Sequence, residues 1–136
     1  CYYGIYINGS NVMIDNSNII NNQIGIQAES DFNITIHSST LQSNNYYGIA
    51  FSGNNGSYLV DNCTFLDNNG NGIDSNSCGS NGQKEIRNSV FMNQSQYAIQ
   101  SGCSIEGSYD VYNCRISNNQ YGIYNGSRVF NSIINN

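Results

Sequence analysis

The sequence predicts an all-β parallel solenoid: about six coils of roughly 23 residues, each carrying three short strands. Three observations predict it. First, the pair Gly-Ile recurs at Gly4-Ile5, Gly25-Ile26, Gly48-Ile49, Gly72-Ile73 and Gly122-Ile123, with Ala98-Ile99 as a variant. Its isoleucines are 21, 23, 24, 26 and 24 residues apart. Second, a six-residue block recurs between the pairs, as in Ile14-Asp15-Asn16-Ser17-Asn18-Ile19 and Val60-Asp61-Asn62-Cys63-Thr64-Phe65. Third, apolar residues alternate with polar ones inside each repeat, as in Val12/Ile14, Ile34/Ile36, Tyr58/Val60 and Tyr109/Val111. A period of two is the signature of a strand.

Within each repeat the Gly-Ile segment is the first strand, and its core column is Ile5, Ile26, Ile49, Ile73, Ile99 and Ile123. The second strand leads into the block and supplies Ile14, Ile36, Val60, Ile86, Val111 and Val129. The third closes it with Ile19, Leu41, Phe65, Phe91, Ile116 and Ile134. Strands this short cannot pair within one repeat and must pair with the next. Each coil therefore rises one inter-strand spacing, about 4.8 Å, and six coils give a rod of roughly 28 Å. Helix is excluded, because no i, i+3, i+4 pattern is sustained and Asn, Gly and β-branched residues are poor helix formers.

Between the strands stand columns of small polar residues. Asn16, Ser38, Asn62, Asn88, Asn113 and Asn131 are placed at a corner, where stacked amides are expected to hydrogen-bond along the rod. Behind them lie Ser17, Ser39, Cys63, Ser89, Cys114 and Ser132. Cys63 and Cys114 are two coils apart, about 9–10 Å, too far to bridge, and read as small buried thiols. Each block is followed by an Asn-rich pair (Asn21-Asn22, Asn44-Asn45, Asn68-Asn69, Asn118-Asn119, Asn135-Asn136), Gln94-Ser95 being the exception.

The repeat "Gly-Ile … Asn-Val-x-Ile-x-Asn-Ser-x-Ile-x-Asn-Asn" resembles the parallel β-helix repeat of right-handed, pectate-lyase-like solenoids, over essentially the whole chain. The resemblance implies a right-handed parallel β-helix forming a single domain, 1–136. It does not imply a function, since that fold serves lyases, hydrolases, phage spikes, adhesins and envelope proteins alike.

Composition narrows the classes. The net charge is -5 with four basic residues, Lys84, Arg87, Arg115 and Arg128. A nucleic-acid partner needs a basic face, so none is expected. No apolar run is long enough for a membrane-spanning helix, so no membrane insertion is expected. Proline is absent and Asn and Ser number 26 and 19, so the asparagine content calls for a structural explanation.

Loop length varies on one side of the coil only. From the Gly-Ile isoleucine to the next block the gaps are 9, 10, 11, 13, 12 and 6 residues; the return gaps are 12 or 13. Solenoids place binding surfaces along such an edge. Cys78 and Cys103 fall on it in adjacent coils and are a candidate disulfide, which would fit an oxidising, extracellular location. Cys1 has no partner in its column and is either free or bonded to another molecule. Six Asn-x-Ser/Thr sequons occur, at Asn8, Asn33, Asn55, Asn62, Asn93 and Asn125. Asn8, Asn55 and Asn125 are the glycosylation candidates, because each precedes Gly-Ser on the variable edge.

An outward column reads Asp15, His37, Asp61, Arg87, Tyr112, Phe130 and is expected to be a cross-strand charge ladder. Tyr3, Tyr47, Tyr97 and Tyr121, with Tyr2 and Tyr46 beside them, predict an aromatic stripe.

Chemistry is thinly marked. The hydrolase motifs implied by the resemblance (Asn-Thr-Asp, an Asp-Asp pair, Arg-Ile-Lys) are absent. Gly70 to Asp74 matches a calcium nonapeptide only once, and a single His builds no zinc site. Ice binding would want threonine arrays, and Thr35, Thr40 and Thr64 are assigned to unrelated columns. No catalytic residue, metal or cofactor is expected.

No cap is visible in the sequence, and Asn136 and Cys1 take the phases of Asn21 and Asn22. The chain is therefore expected to be a fragment of a longer solenoid or a head-to-tail stacking unit. Its intermolecular contacts would include Cys1, Tyr2, Tyr3, Asn135 and Asn136. The composition resembles repeat-rich archaeal or bacterial envelope proteins. A structural, self-assembling solenoid of an extracellular filament, sheath or surface layer is the leading expectation. The alternatives are a carbohydrate-binding or polysaccharide-degrading β-helix, with glycans as partners, and an adhesin or phage-spike segment.

Overall fold

A computed structural model describes residues 1–9, 11–53, 55–76, 82–102, 109–125 and 128–136. Three strands occupy each coil. The first coil holds β1 (Tyr3–Asn8), β2 (Asn11–Asp15) and β3 (Asn18–Ile20), and the second β4 (Ile24–Glu29), β5 (Asn33–His37) and β6 (Thr40–Gln42). β7 (Tyr47–Phe51), β8 (Ser57–Asp61) and β9 (Thr64–Leu66) follow, then β10 (Asn71–Ser75), β11 (Lys84–Arg87) and β12 (Val90–Met92). The last two coils hold β13 (Tyr97–Ser101), β14 (Asp110–Tyr112) and β15 (Arg115–Ser117), and β16 (Tyr121–Tyr124), β17 (Arg128–Phe130) and β18 (Ile133–Asn135).

Every third strand pairs, all in parallel, giving three six-stranded sheets: β1-β4-β7-β10-β13-β16, β2-β5-β8-β11-β14-β17 and β3-β6-β9-β12-β15-β18. They are called the first, second and third sheets below. The expected core columns stack in register: Ile5 on Ile26 and Ile26 on Ile49, Ile14 on Ile36 and Ile36 on Val60, Ile19 on Leu41 and Leu41 on Phe65. Ile26, Ile49, Ile73, Ile36, Val60, Leu41, Phe65 and Phe91 are wholly buried. Phe65 and Phe91 stack face to face with ring centroids 4.4 Å apart. A stacked ladder of this kind lets each side chain bury itself between two copies of its own position, worth roughly 1.5–3 kcal/mol per residue.

The recurring glycine has a steric cause. A Cβ at Gly25 would lie 2.5 Å from the carbonyl oxygen of Gly48, one coil further on. The backbone at this point of the first sheet thus approaches its neighbour too closely for most side chains. Ala98, buried in the same column, is the largest residue found there.

One core position departs from expectation. The second sheet's other inward column runs Val12, Ile34, Tyr58 and then Lys84. Lys84 is buried, and burial lowers its pKa. Its sequence neighbours are polar, so nothing in the local pattern marked it as an interior residue.

Phe65→Ala would remove both core volume and the stack with Phe91. Chemical denaturation should show a loss of about 3–5 kcal/mol, against less than about 0.5 kcal/mol for the exposed Met13→Ala.

Candidate functional site: the amide ladder and the sheet faces

The most ordered polar feature of the chain is an amide ladder at the corner between the third sheet and the first. The backbone N–H and the Nδ2 of Asn22 both donate to Asn44 Oδ1, at 3.1 and 3.3 Å. Asn44 donates in the same two ways to Asn68 Oδ1, at 3.0 and 2.9 Å. Asn68 does so to Gln94 Oε1 (3.3 and 3.0 Å) and Asn119 to Asn136 Oδ1 (3.2 and 3.1 Å). Gln94 bridges the middle: its N–H donates to Asn119 Oδ1 at 2.8 Å, while its Nε2 donates to the carbonyls of Phe65 and Met92. The second amide proton of Asn44, Asn68 and Asn119 goes to the carbonyls of Ile19, Leu41 and Phe91. Asn44 and Asn68 are wholly buried, and each amide leaves almost no hydrogen-bonding capacity unused.

This corrects the expected position of the ladder. The column of Asn16, Asn62, Asn88, Asn113 and Asn131 does sit at a corner, but not as a continuous stack of bonded amides, only Asn113 and Asn88 being joined in that way. These residues have φ between 47° and 54°, and Ser38 in the same column has 48°. Asn tolerates that left-handed conformation better than any other residue bearing a Cβ, and this selects it here. The side chains are exposed and bond irregularly: Asn62 to Ser38, Asn88 to Asp61, and Asn113 to Asn88. A second left-handed column, Asn21, Ser43, Asp67, Asn93 and Asn118, precedes the ladder. The ladder residue therefore follows a left-handed one, which moves the pairs to Ser43-Asn44 and Asp67-Asn68 and makes Gln94 a member rather than an exception.

The Ser/Cys column is a smaller ladder of the same kind. The N–H groups of Ser17, Cys63 and Cys114 donate to the hydroxyls of Ser39, Ser89 and Ser132, each at 3.1 Å. Cys63 and Cys114 are free and buried, as expected, and burial pushes both thiols up to about 11. Cys78 and Cys103 lie outside the described residues.

On the outer face of the second sheet the column Asp15, His37, Asp61, Arg87, Tyr112, Phe130 forms in the expected register. His37 Nδ1 lies 2.8 Å from Asp15 Oδ1. Arg87 reaches Asp61 at 3.0 Å and Glu85 at 3.2 Å, and Tyr112 stacks on Phe130. Burial pushes the Asp61 carboxyl up, but hydrogen bonds from Arg87 and Asn88 and the charge of Arg87 outweigh it and hold Asp61 below the usual carboxylate range. A groove of about 470 Å³ runs beside this column, lined by Asn33, Thr35, Ser57, Gln83, Glu85 and Arg87 among others. The Nε of Arg87 is buried without a hydrogen-bond partner among the described residues.

The first sheet's outer face is less aromatic than expected. The column reads Tyr3, Ile24, Tyr47, Asn71, Tyr97, Tyr121, so Ile24 and Asn71 interrupt the stripe. Tyr97 and Tyr121 stack at 4.8 Å, and Tyr3 packs instead on Tyr2 and Tyr6. Asp74 lies buried in the middle of this face and accepts from Asn71 at 3.1 Å and Asn76 at 2.7 Å. Burial outweighs those two bonds and raises its pKa. On the third sheet Thr40 and Thr64 share a column after all, with Val90 and Arg115 beyond them.

The other sequence candidates are spread over the rod. Asn8, Asn55 and Asn125 are exposed. Cys1, Tyr2, Asn135 and Asn136 are exposed and Tyr3 is half-buried. Among the described residues no group of three or more His, Cys, Asp and Glu could hold a metal ion.

The uninterrupted parallel stacking and the three sheets define the class: a parallel β-solenoid. The model of the family described as "right handed beta helix region" matches residues 1–136, and the chain belongs to that family. No curated protein and no solved structure matches the chain significantly.

Asn68→Ala would strand the N–H of Asn44 and the carbonyl of Leu41, at about 1–3 kcal/mol for each buried group. Asn62→Ala should cost only about 1–2 kcal/mol, for its left-handed φ, and Asn62→Gly should be close to neutral. Denaturant titration of the three variants separates the ladder from the corner. The carboxyls give opposite pH effects. Asp61, held low, stabilises the fold above its unfolded pKa of about 3.9, and that stability is lost as pH falls through its lowered value. Asp74, held high, stabilises below about 3.9 and loses that contribution as pH rises through its raised value. Unfolding midpoints of Asp61→Asn and Asp74→Asn relative to wild type, measured from pH 2.5 to 7, should diverge from wild type in opposite directions.

Proposed function

We propose that the chain is a structural β-solenoid that assembles lengthwise, coil upon coil, within an extracellular filament, sheath or surface layer. The observation that carries this reading is the sameness of the coil-to-coil interface: one set of parallel pairings and one amide ladder repeat at every step. Any uncovered coil face is therefore complementary to the opposite face of another coil. The β16–β18 coil shows what such a face offers. Val129 and Ile134 are 42% and 48% exposed, while Val111 and Ile116 beneath them are 0%. Parallel edge strands with apolar inward columns are templates for further pairing. The reading commits to a second copy of the chain as the next coil, with Asn135, Asn136, Cys1, Tyr2 and Tyr3 at the joint.

A second reading, a carbohydrate-binding or carbohydrate-cleaving surface, is favoured by the groove beside Glu85 and Arg87, whose lining mixes these polar side chains with Ile34, Tyr58 and Leu59. The chemistry for cleavage is sparse, since Arg87 is already paired with two carboxylates.

Negative-stain microscopy and sedimentation of the purified 136-residue chain should show rods longer than a single chain. Ile134→Asp should disperse them to monomers without loss of β-sheet circular dichroism. Dispersed wild-type monomers at high concentration would overturn the assembly reading, and specific oligosaccharide binding by those monomers would put the second reading in its place.

A further inference from the structure

Most described asparagines of this chain serve the fold as a left-handed corner, a ladder rung or a hydrogen bond across coils. Asn55 is neither a rung nor bonded across coils to a described residue. It is exposed, and its amide makes no hydrogen bond to another described residue. It stands in the connection between β7 and β8, on the edge where loop length varies, and opens the sequence Asn55-Gly56-Ser57. Gly56 lies against the Phe32 ring so closely that a Cβ would come within 2.1 Å of Cζ. Asn55 and Ser57 both line one shallow groove of about 420 Å³, together with Phe32.

The other fully described sequons contrast with it. Asn62 and Asn93 occupy left-handed corners (φ 54° and 60°), and their Nδ2 groups donate to Ser38 and Asp67. Asn33 lies inside β5, and its Oδ1 accepts from Ser57. A glycan on Asn62 or Asn93 would load an Nδ2 already tied to the neighbouring coil, whereas the amide of Asn55 holds no bond to another described residue that a glycan would disturb.

We propose that Asn55 is an attachment point for an N-linked glycan, which would project from the variable edge. This depends on export of the chain through a glycosylating compartment and not on its lengthwise assembly. In the transfer, Nδ2 of Asn55 attacks the anomeric carbon of an oligosaccharide carried on a lipid pyrophosphate. The C–N bond forms as the C–O bond to pyrophosphate breaks. The lipid pyrophosphate leaves with the electron pair, and the Nδ2 proton passes to a carboxylate of the transferase.

The test is import of the 136-residue chain, behind a cleavable signal peptide, into microsomes that hold oligosaccharyltransferase and its lipid-linked donor. Intact mass and glycopeptide mapping give the readout. Modification is expected at Asn55 and should vanish in both Asn55→Gln and Ser57→Ala. The glycosylated chain should unfold at the same denaturant midpoint as the bare one. An imported, protease-protected chain unmodified at Asn55, or a glycan at Asn62 or Asn93 in its stead, would overturn the proposal, as would a lowered midpoint.

Discussion

A chain that turns three corners per coil and stacks its coils one strand spacing apart leaves backbone N–H groups at the corners pointing along the rod axis. Strand pairing cannot reach them, and at the corner between the third and first sheets water cannot either. Each must find an acceptor in the next coil. The Asn22–Asn44–Asn68–Gln94–Asn119–Asn136 series supplies that acceptor at every step, and the Ser/Cys column does the same at the corner between the second and third sheets. With the corners satisfied, the apolar columns can stack in register, and the sheets follow from the stacking.

The asparagine content thus has two separate physical origins. Buried rungs need an amide for its paired donor and acceptor groups. Exposed corners need a residue that accepts positive φ. Ser38, Ser43 and Asp67 can replace Asn at the corners because a short polar side chain suffices there. Gln94 can replace it in the ladder because its longer amide still reaches Asn68 and the carbonyl of Phe65. The thiols of Cys63 and Cys114 fit the serine column because sulfur sits within reach of the carbonyls of Asp61 and Tyr112, as the serine hydroxyls do for the equivalent carbonyls.

The period, the three strands per coil and all three core columns were legible in the sequence, because a period-2 pattern repeated six times leaves no freedom of register. The outward His37 and Arg87 pairings were legible for the same reason. The ladder was not. Its residues share a composition with the corners, and choosing between adjacent asparagines requires knowing which one takes the left-handed conformation. Lys84 was hidden because a core column read from sequence admits no cation. Asp74 was hidden because an outward position on a strand does not normally lose its water. Along the tyrosine stripe, Ile24 and Asn71 fell in register with residues of a different kind.

The amide ladder also has a direction. Its amide-to-amide bonds run one way, with donors in the earlier coil and the acceptor in the later one, while the remaining amide protons of Asn44, Asn68 and Asn119 turn back to carbonyls of the earlier coil. Two such rods brought together by a two-fold axis through matching coil faces would not continue this one-way amide series. A lengthwise contact that did continue the series would join unlike faces and so have a front and a back.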